Sequence, residues 1–147
     1  MKRFDPYFST TLCVEKLFEQ YKKHGNILVA FDYDDTIHDY HKKGYEFPKV
    51  MEILRECSVL GLTMILYTGN EDIDNILNYL KGQGIRVDHV NCSPIEAHKK
   101  KPYFNILLDN NAGLGQAYEI LSLTLLKIKE KKNDSNGQSE RFLQDRP

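Results

Sequence analysis

The chain reads as one α/β domain with a doubly wound, mostly parallel sheet of alternating strands and helices. Apolar runs of strand length alternate with amphipathic helical segments, the pattern that βαβ units leave in a sequence. Three of those runs end abruptly in residues able to do chemistry: Asp32-Tyr33-Asp34-Asp35-Thr36, Thr68-Gly69-Asn70 and Asp109-Asn110-Asn111. At 147 residues there is room for one sheet covered by helices, without a large cap domain.

The elements follow in order. Val14, Leu17, Phe18 and Tyr21 recur at helical spacing, and Gly25 stops that helix. Ile27 to Phe31 is the first strand, followed by the acidic turn and a polar, aromatic-studded flap from His38 to Glu46. Pro48 opens the next helix at a position that tolerates proline; Val50, Ile53, Leu54 and Cys57 form its buried face, and Gly61 ends it. Leu62 to Tyr67 is the second strand. Ile73, Ile76, Leu77 and Leu80 mark a further helix, stopped by Gly82 and Gly84. Ile85 to Asn91 is expected as the third strand, and Phe104 to Leu108 as the fourth, after the basic loop His98-Lys99-Lys100-Lys101-Pro102. A last helix carries Leu114, Ala117, Tyr118, Leu121 and Leu125. Residues 1–130 form the domain, and residues 131–147, too poor in apolar side chains to fold alone, are expected to be a disordered tail.

Composition narrows the function. Hydrophobic residues make up 41% and charged residues 28%, with a net charge of −1, so no global basic field attracts nucleic acid. Cys13, Cys57 and Cys92 have no metal-ligand spacing, and a reduced, cytoplasmic setting is expected. The opening residues lead into an amphipathic segment, and no apolar run reaches membrane-spanning length, so no membrane partner is expected.

Right-handed crossovers bring the carboxyl ends of parallel strands to one edge, which gathers Asp32, Asp34, Thr68 and Asp109. Each has a bland role: a helix cap for Asp109, a turn for Thr68-Gly69-Asn70, a solvated loop for the lysines. Together they make a phosphate site. Clustered aspartates repel one another, and a hard divalent cation with oxygen ligands, Mg²⁺, relieves that cost.

An apolar strand ending Asp-x-Asp-x-Thr, a second ending in Thr, a lysine, and a strand ending in Asp resembles the haloacid dehalogenase (HAD) superfamily, in its small capless phosphatase-like type. The resemblance covers Asn26 to Leu121 and includes Lys101-Pro-Tyr-Phe-Asn-Ile-Leu-Leu-Asp109. It implies an Mg²⁺-dependent phosphatase. Asp32 would be the nucleophile that becomes an aspartyl-phosphate, and Asp34 the acid and base. Mg²⁺ would be held by the Asp32 carboxylate, the Asp34 carbonyl and Asp109, with Asn110 beside them. Thr68 and Lys101 would bind phosphoryl oxygens, with Lys99 and Lys100 as alternatives to Lys101. Tyr33, Gly69 and Asn70 would touch substrate. Two positions depart from the pattern: Asp35 stands where many relatives have glycine, and Asn110 where many have a second carboxylate. The loss of that charge is expected to weaken metal binding.

Thirty-five residues separate Asp32 from Thr68, enough for a flap and one helix but not an inserted cap. Such an open site suits a phosphorylated small molecule or nucleotide; a nucleic-acid end would also fit. Tyr40, Tyr45 and Tyr67 are candidates to stack a base, with packing as the plainer role. His38, His41, His89 and His98 fit no zinc spacing. The alternative function is a HAD-fold binding or regulatory protein weakened at Asn110. A receiver-type signalling domain is disfavoured because the carboxylate pair ends the first strand, and a dinucleotide fold because no glycine-rich turn follows it. A homo-oligomer is compatible with all of this.

Overall fold

In the computed structural model, residues 5–95 and 101–144 are described, with side chains to 137. The β-branched, apolar centre of the chain builds four parallel strands: β1 (Leu28–Phe31), β2 (Thr63–Leu66), β3 (His89–Val90) and β4 (Ile106–Leu108). Their order is β3-β2-β1-β4, so the sheet grows one way from β1 to β3 and then reverses to place β4 on the other side of β1. That reversal is a topological switch point, and the crevice outside the carboxyl ends of β1 and β4 is where such sheets bind ligands. Polar side chains lock the opposite ends. Asn26 bonds Thr63 through both its amide atoms, and the Asn105 amide oxygen accepts from the Leu28 N–H at 2.7 Å.

Helix α1 (Thr10–His24) is capped by Ser9, whose hydroxyl accepts from Leu12 N–H, and ends at Gly25 in the left-handed conformation. Helix α2 (Pro48–Val59) starts on its proline, and α3 (Ile73–Gly82) follows β2. Helix α4 (Leu114–Gln144) closes the domain. The alternation of β1 sorts its side chains. Ile27, Val29 and Phe31 join the main core with Leu17, Leu54, Leu80 and Leu121 from the four helices. Leu28 and Ala30 face the other way, where Tyr67, Tyr103, Phe104 and Leu107 pack against them and Ile65. The result is a single-domain α/β fold without a large cap.

Two local expectations are revised. The third strand is two residues long, because Ile85 is buried by packing while only His89 and Val90 pair with β2. The flap is an irregular loop drawn around Asp39, whose carboxylate accepts from the N–H groups of Lys43, Gly44 and Tyr45. The polar tail is not unstructured as expected, since α4 continues through it to Gln144. Extending a helix that is already nucleated costs far less than starting one. Side-chain tethers help: Lys129 pairs with Glu56 at 2.5 Å, and Lys132 donates to the Leu60 carbonyl at the end of α2. His98, Lys99 and Lys100 lie outside the described residues.

Candidate functional site

Where β1 runs out, the Asp32 N–H donates to the Leu108 carbonyl at 2.9 Å, which keeps the ends of β1 and β4 together for one more residue. The chain then tightens on a single acceptor: Thr36, Ile37 and His38 all donate their N–H groups to the Tyr33 carbonyl. Asp35 takes φ 56°, a left-handed conformation that glycine adopts without strain and aspartate tolerates. That backbone demand accounts for Asp35 at a position where glycine is the alternative. Its carboxylate meets His41 Nδ1 at 2.5 Å.

Thr36 is fully buried at the centre of this turn. Its hydroxyl lies 3.3 Å from Asp32 Oδ2 and 3.2 Å from Asn110 Oδ1, and it accepts from the Asn110 N–H at 3.0 Å. One side chain therefore joins the loops after β1 and β4, in contact with residues 74 positions apart. In sequence Thr36 is only the last residue of the Asp-x-Asp-x-Thr motif, because its partner Asn110 lies 74 positions away.

The carboxylates sit close enough to sense one another. Burial pushes the Asp32 carboxyl above its ordinary range, and repulsion from Asp109 and Asp34 adds to this; the Tyr33 N–H and the Thr36 hydroxyl only partly offset them. Asp109 also holds its own turn, accepting from the Asn111 N–H at 2.8 Å, but it caps no helix, since α4 starts five residues later at Leu114. The turn after β2 completes the edge. Thr68 Oγ1 accepts from the Asn70 N–H at 3.1 Å, and Asn70 Nδ2 lies 3.4 Å from both carboxylate oxygens of Asp34, a long and weak contact. Asn91, beyond β3, accepts from the Thr68 N–H at 2.8 Å. Gly69 has a φ open to any residue, and a Cβ there would meet nothing within 4 Å.

Tyr33 is buried, with its ring stacked on His38 at 5.3 Å and met edge-on by Tyr79 at 6.3 Å. Burial, Tyr79 and the Asp34 and Asp72 carboxylates push its phenol up, so it stays protonated at neutral pH. Tyr67 packs edge-on against Phe104 on the second sheet face, and Tyr40 meets His41 edge-on. Lys101 is exposed and forms no ion pair with Asp32, Asp34 or Asp109 among the described residues.

Thr36 thus joins Asp32 to Asn110 at the switch point, Asp109 and Asp34 lie near enough to repel Asp32, and Asn70 reaches Asp34. Among the described residues no group of three or more His, Cys, Asp or Glu is arranged to hold a metal ion. What the structure does bring together is the Asp32 carboxylate with those of Asp109 and Asp34, near enough to repel it across adjacent strand ends. No described helix is long and apolar enough to cross a membrane.

No protein-family model matches the chain, and no curated protein is significantly similar to it. A solved structure of a conserved protein from Bacteroides thetaiotaomicron is similar. It is 25% identical with a TM-score of 0.51, covering 72% of this chain and 92% of that one. The likeness supports a small α/β fold with a mostly parallel sheet.

Proposed function

We propose that the chain is an Mg²⁺-dependent phosphomonoester hydrolase of HAD type that works through an aspartyl-phosphate on Asp32. One observation carries this reading: Asp32, flanked by Asp34 and Asp109 and bonded to the buried Thr36, stands at the switch point between β1 and β4. In the first step an Asp32 carboxylate oxygen attacks phosphorus, the phosphorus–ester oxygen bond breaks, and Asp34 gives its proton to the leaving oxygen. In the second, Asp34 takes a proton from water as the water oxygen attacks phosphorus, and the bond to Asp32 breaks to release phosphate. Thr68, Gly69 and Asn70 hold phosphoryl oxygens, with Lys101 supplying positive charge from the loop before β4. The Asp32 and Asp109 carboxylates and the Asp34 carbonyl would hold Mg²⁺, which offsets the negative charge that these groups and the phosphoryl group concentrate at one point. Asn110 stands behind them on Thr36.

A second reading, a catalytically weakened binding or regulatory protein on the same fold, is favoured by Asn110, an uncharged amide bonded to Thr36 beside Asp109, and by the lack of a metal-holding group of three or more acidic, His or Cys side chains among the described residues. Phosphate release from a panel of phosphomonoesters, including nucleotides and phosphate-ended oligonucleotides, decides between them. Turnover that EDTA and Asp32→Asn both abolish supports the hydrolase. A folded protein that turns over nothing yet binds Mg²⁺ or phosphate supports the second reading.

A further inference from the structure

We propose that the pocket between the 38–47 loop, α2 and Tyr79 of α3 binds a planar heterocycle carrying amino groups, the base of a nucleoside monophosphate. The proposal rests on the phosphatase reading for the phosphate end alone. A cavity of about 430 Å³ opens there, within the size range of small-molecule sites. Its aromatic lining is His38, Tyr45, Phe47 and Tyr79, of which His38, Tyr45 and Tyr79 are exposed. Tyr45 and Tyr79 leave 62% and 42% of their surface in water, an apolar area that a stacked ring would cover. These walls are anchored to the catalytic turn. His38 stacks on Tyr33 with 14° between ring planes, Tyr79 meets the same ring at 78°, and Tyr33 lies between Asp32 and Asp34 in the chain. Asp39 holds the Lys43–Tyr45 backbone by three N–H donations, so Tyr45 is presented on a fixed loop.

Charge selects what enters. Glu46 and Glu52 line the pocket and, when ionised, only accept hydrogen bonds, while Arg55 is engaged with Gln83 at 2.6 and 3.0 Å. Such a pocket repels phosphate and suits a ring that donates N–H. The two ends of a nucleotide are thereby sorted: phosphate toward Asp32 and Thr68, base into the pocket.

The test uses nucleosides, which need no turnover. Calorimetric titration of the full chain with adenosine, cytidine, uridine and ribose is expected to show adenosine and cytidine binding more tightly than uridine, which lacks the exocyclic amine, with ribose silent. Tyr79→Ala and Tyr45→Ala should each weaken adenosine binding about tenfold, and Tyr79→Phe should restore it. No nucleoside binding at millimolar concentration, or binding indifferent to both alanine variants, overturns the proposal. Tight capture of aromatic peptides with nucleosides excluded overturns it too. Nucleoside binding without hydrolysis of any phosphomonoester would retire the phosphatase and leave the base pocket standing.

Discussion

Thr36 carries a single hydroxyl proton, and two acceptors stand within reach of it: Asp32 Oδ2 and Asn110 Oδ1. Only one can receive it at a time. The competition is relieved when the Asn110 amide turns over, because its nitrogen then donates to Thr36 and leaves the proton to Asp32. A carboxylate at 110 has no such option, so asparagine there leaves the Thr36 proton to Asp32. Thr36→Val, nearly the same shape, removes the proton and leaves the Asn110 N–H without its partner. Unfolding in denaturant should show a loss of about 1–3 kcal/mol, with Thr36→Ser losing much less. If the valine variant were as stable as the parent, the hydroxyl would have no structural part to play. For the phosphatase, the same variant is expected to lower kcat more than it raises KM.

The 38–47 loop has no hydrogen-bonded ladder, so its order depends on Asp39. Desolvation pushes the Asp39 carboxyl up, but the amides of Lys43, Gly44 and Tyr45, with help from His38, hold it below its ordinary value. A depressed carboxyl stabilises the loop above the unfolded value of 3.8, and that support is lost as pH falls through the lower folded value. Asp39→Ala should therefore speed hydrogen exchange at the Lys43, Gly44 and Tyr45 amides at neutral pH while the global unfolding midpoint stays put; unchanged exchange would mean that the loop holds itself. The loop also marks what could be read in advance. The strand ends were legible because apolar runs stop sharply at Asp32, Thr68 and Asp109, and the helix stops because Gly25 and Gly61 sit at φ 67° and 74°. Asp39 as a latch was not legible, since an exposed aspartate in a polar loop has no distinguishing pattern. Nor was the helical tail, whose tethers Lys129 and Lys132 reach residues on α2 and at its end more than 70 positions away. Thr36 lay inside the recognised motif, yet its link to Asn110 exists only once β4 lies beside β1.

At the scale of the whole molecule, four helices and a small sheet hold a cluster of carboxylates at one edge at a cost to folding. Asp32 shows the sign. Its folded-state pKa is raised above the unfolded 3.8, chiefly by burial and then by Asp109 and Asp34. The stability that the group contributes is thus fully present below 3.8 and is lost as pH rises through the folded value, leaving a net penalty at neutral pH. Asp32→Asn removes the charge and keeps the shape, and asparagine can still accept from Thr36. Without divalent cations its Tm should exceed that of the parent at neutral pH, and the gap should close in acid as the parent's carboxyl takes up its proton. Adding Mg²⁺ should reverse the order. A cation that binds only the folded state raises stability on the order of 2 kcal/mol when well above its Kd, several degrees in Tm, and the asparagine variant should gain far less. Thermal melts across pH, with and without Mg²⁺, read all of this without any substrate. If the variant melts below the parent when metal is absent, Asp32 is part of what holds the fold together. Equal Mg²⁺ shifts in both proteins would place the cation away from Asp32, and the phosphatase reading would lose its nucleophile.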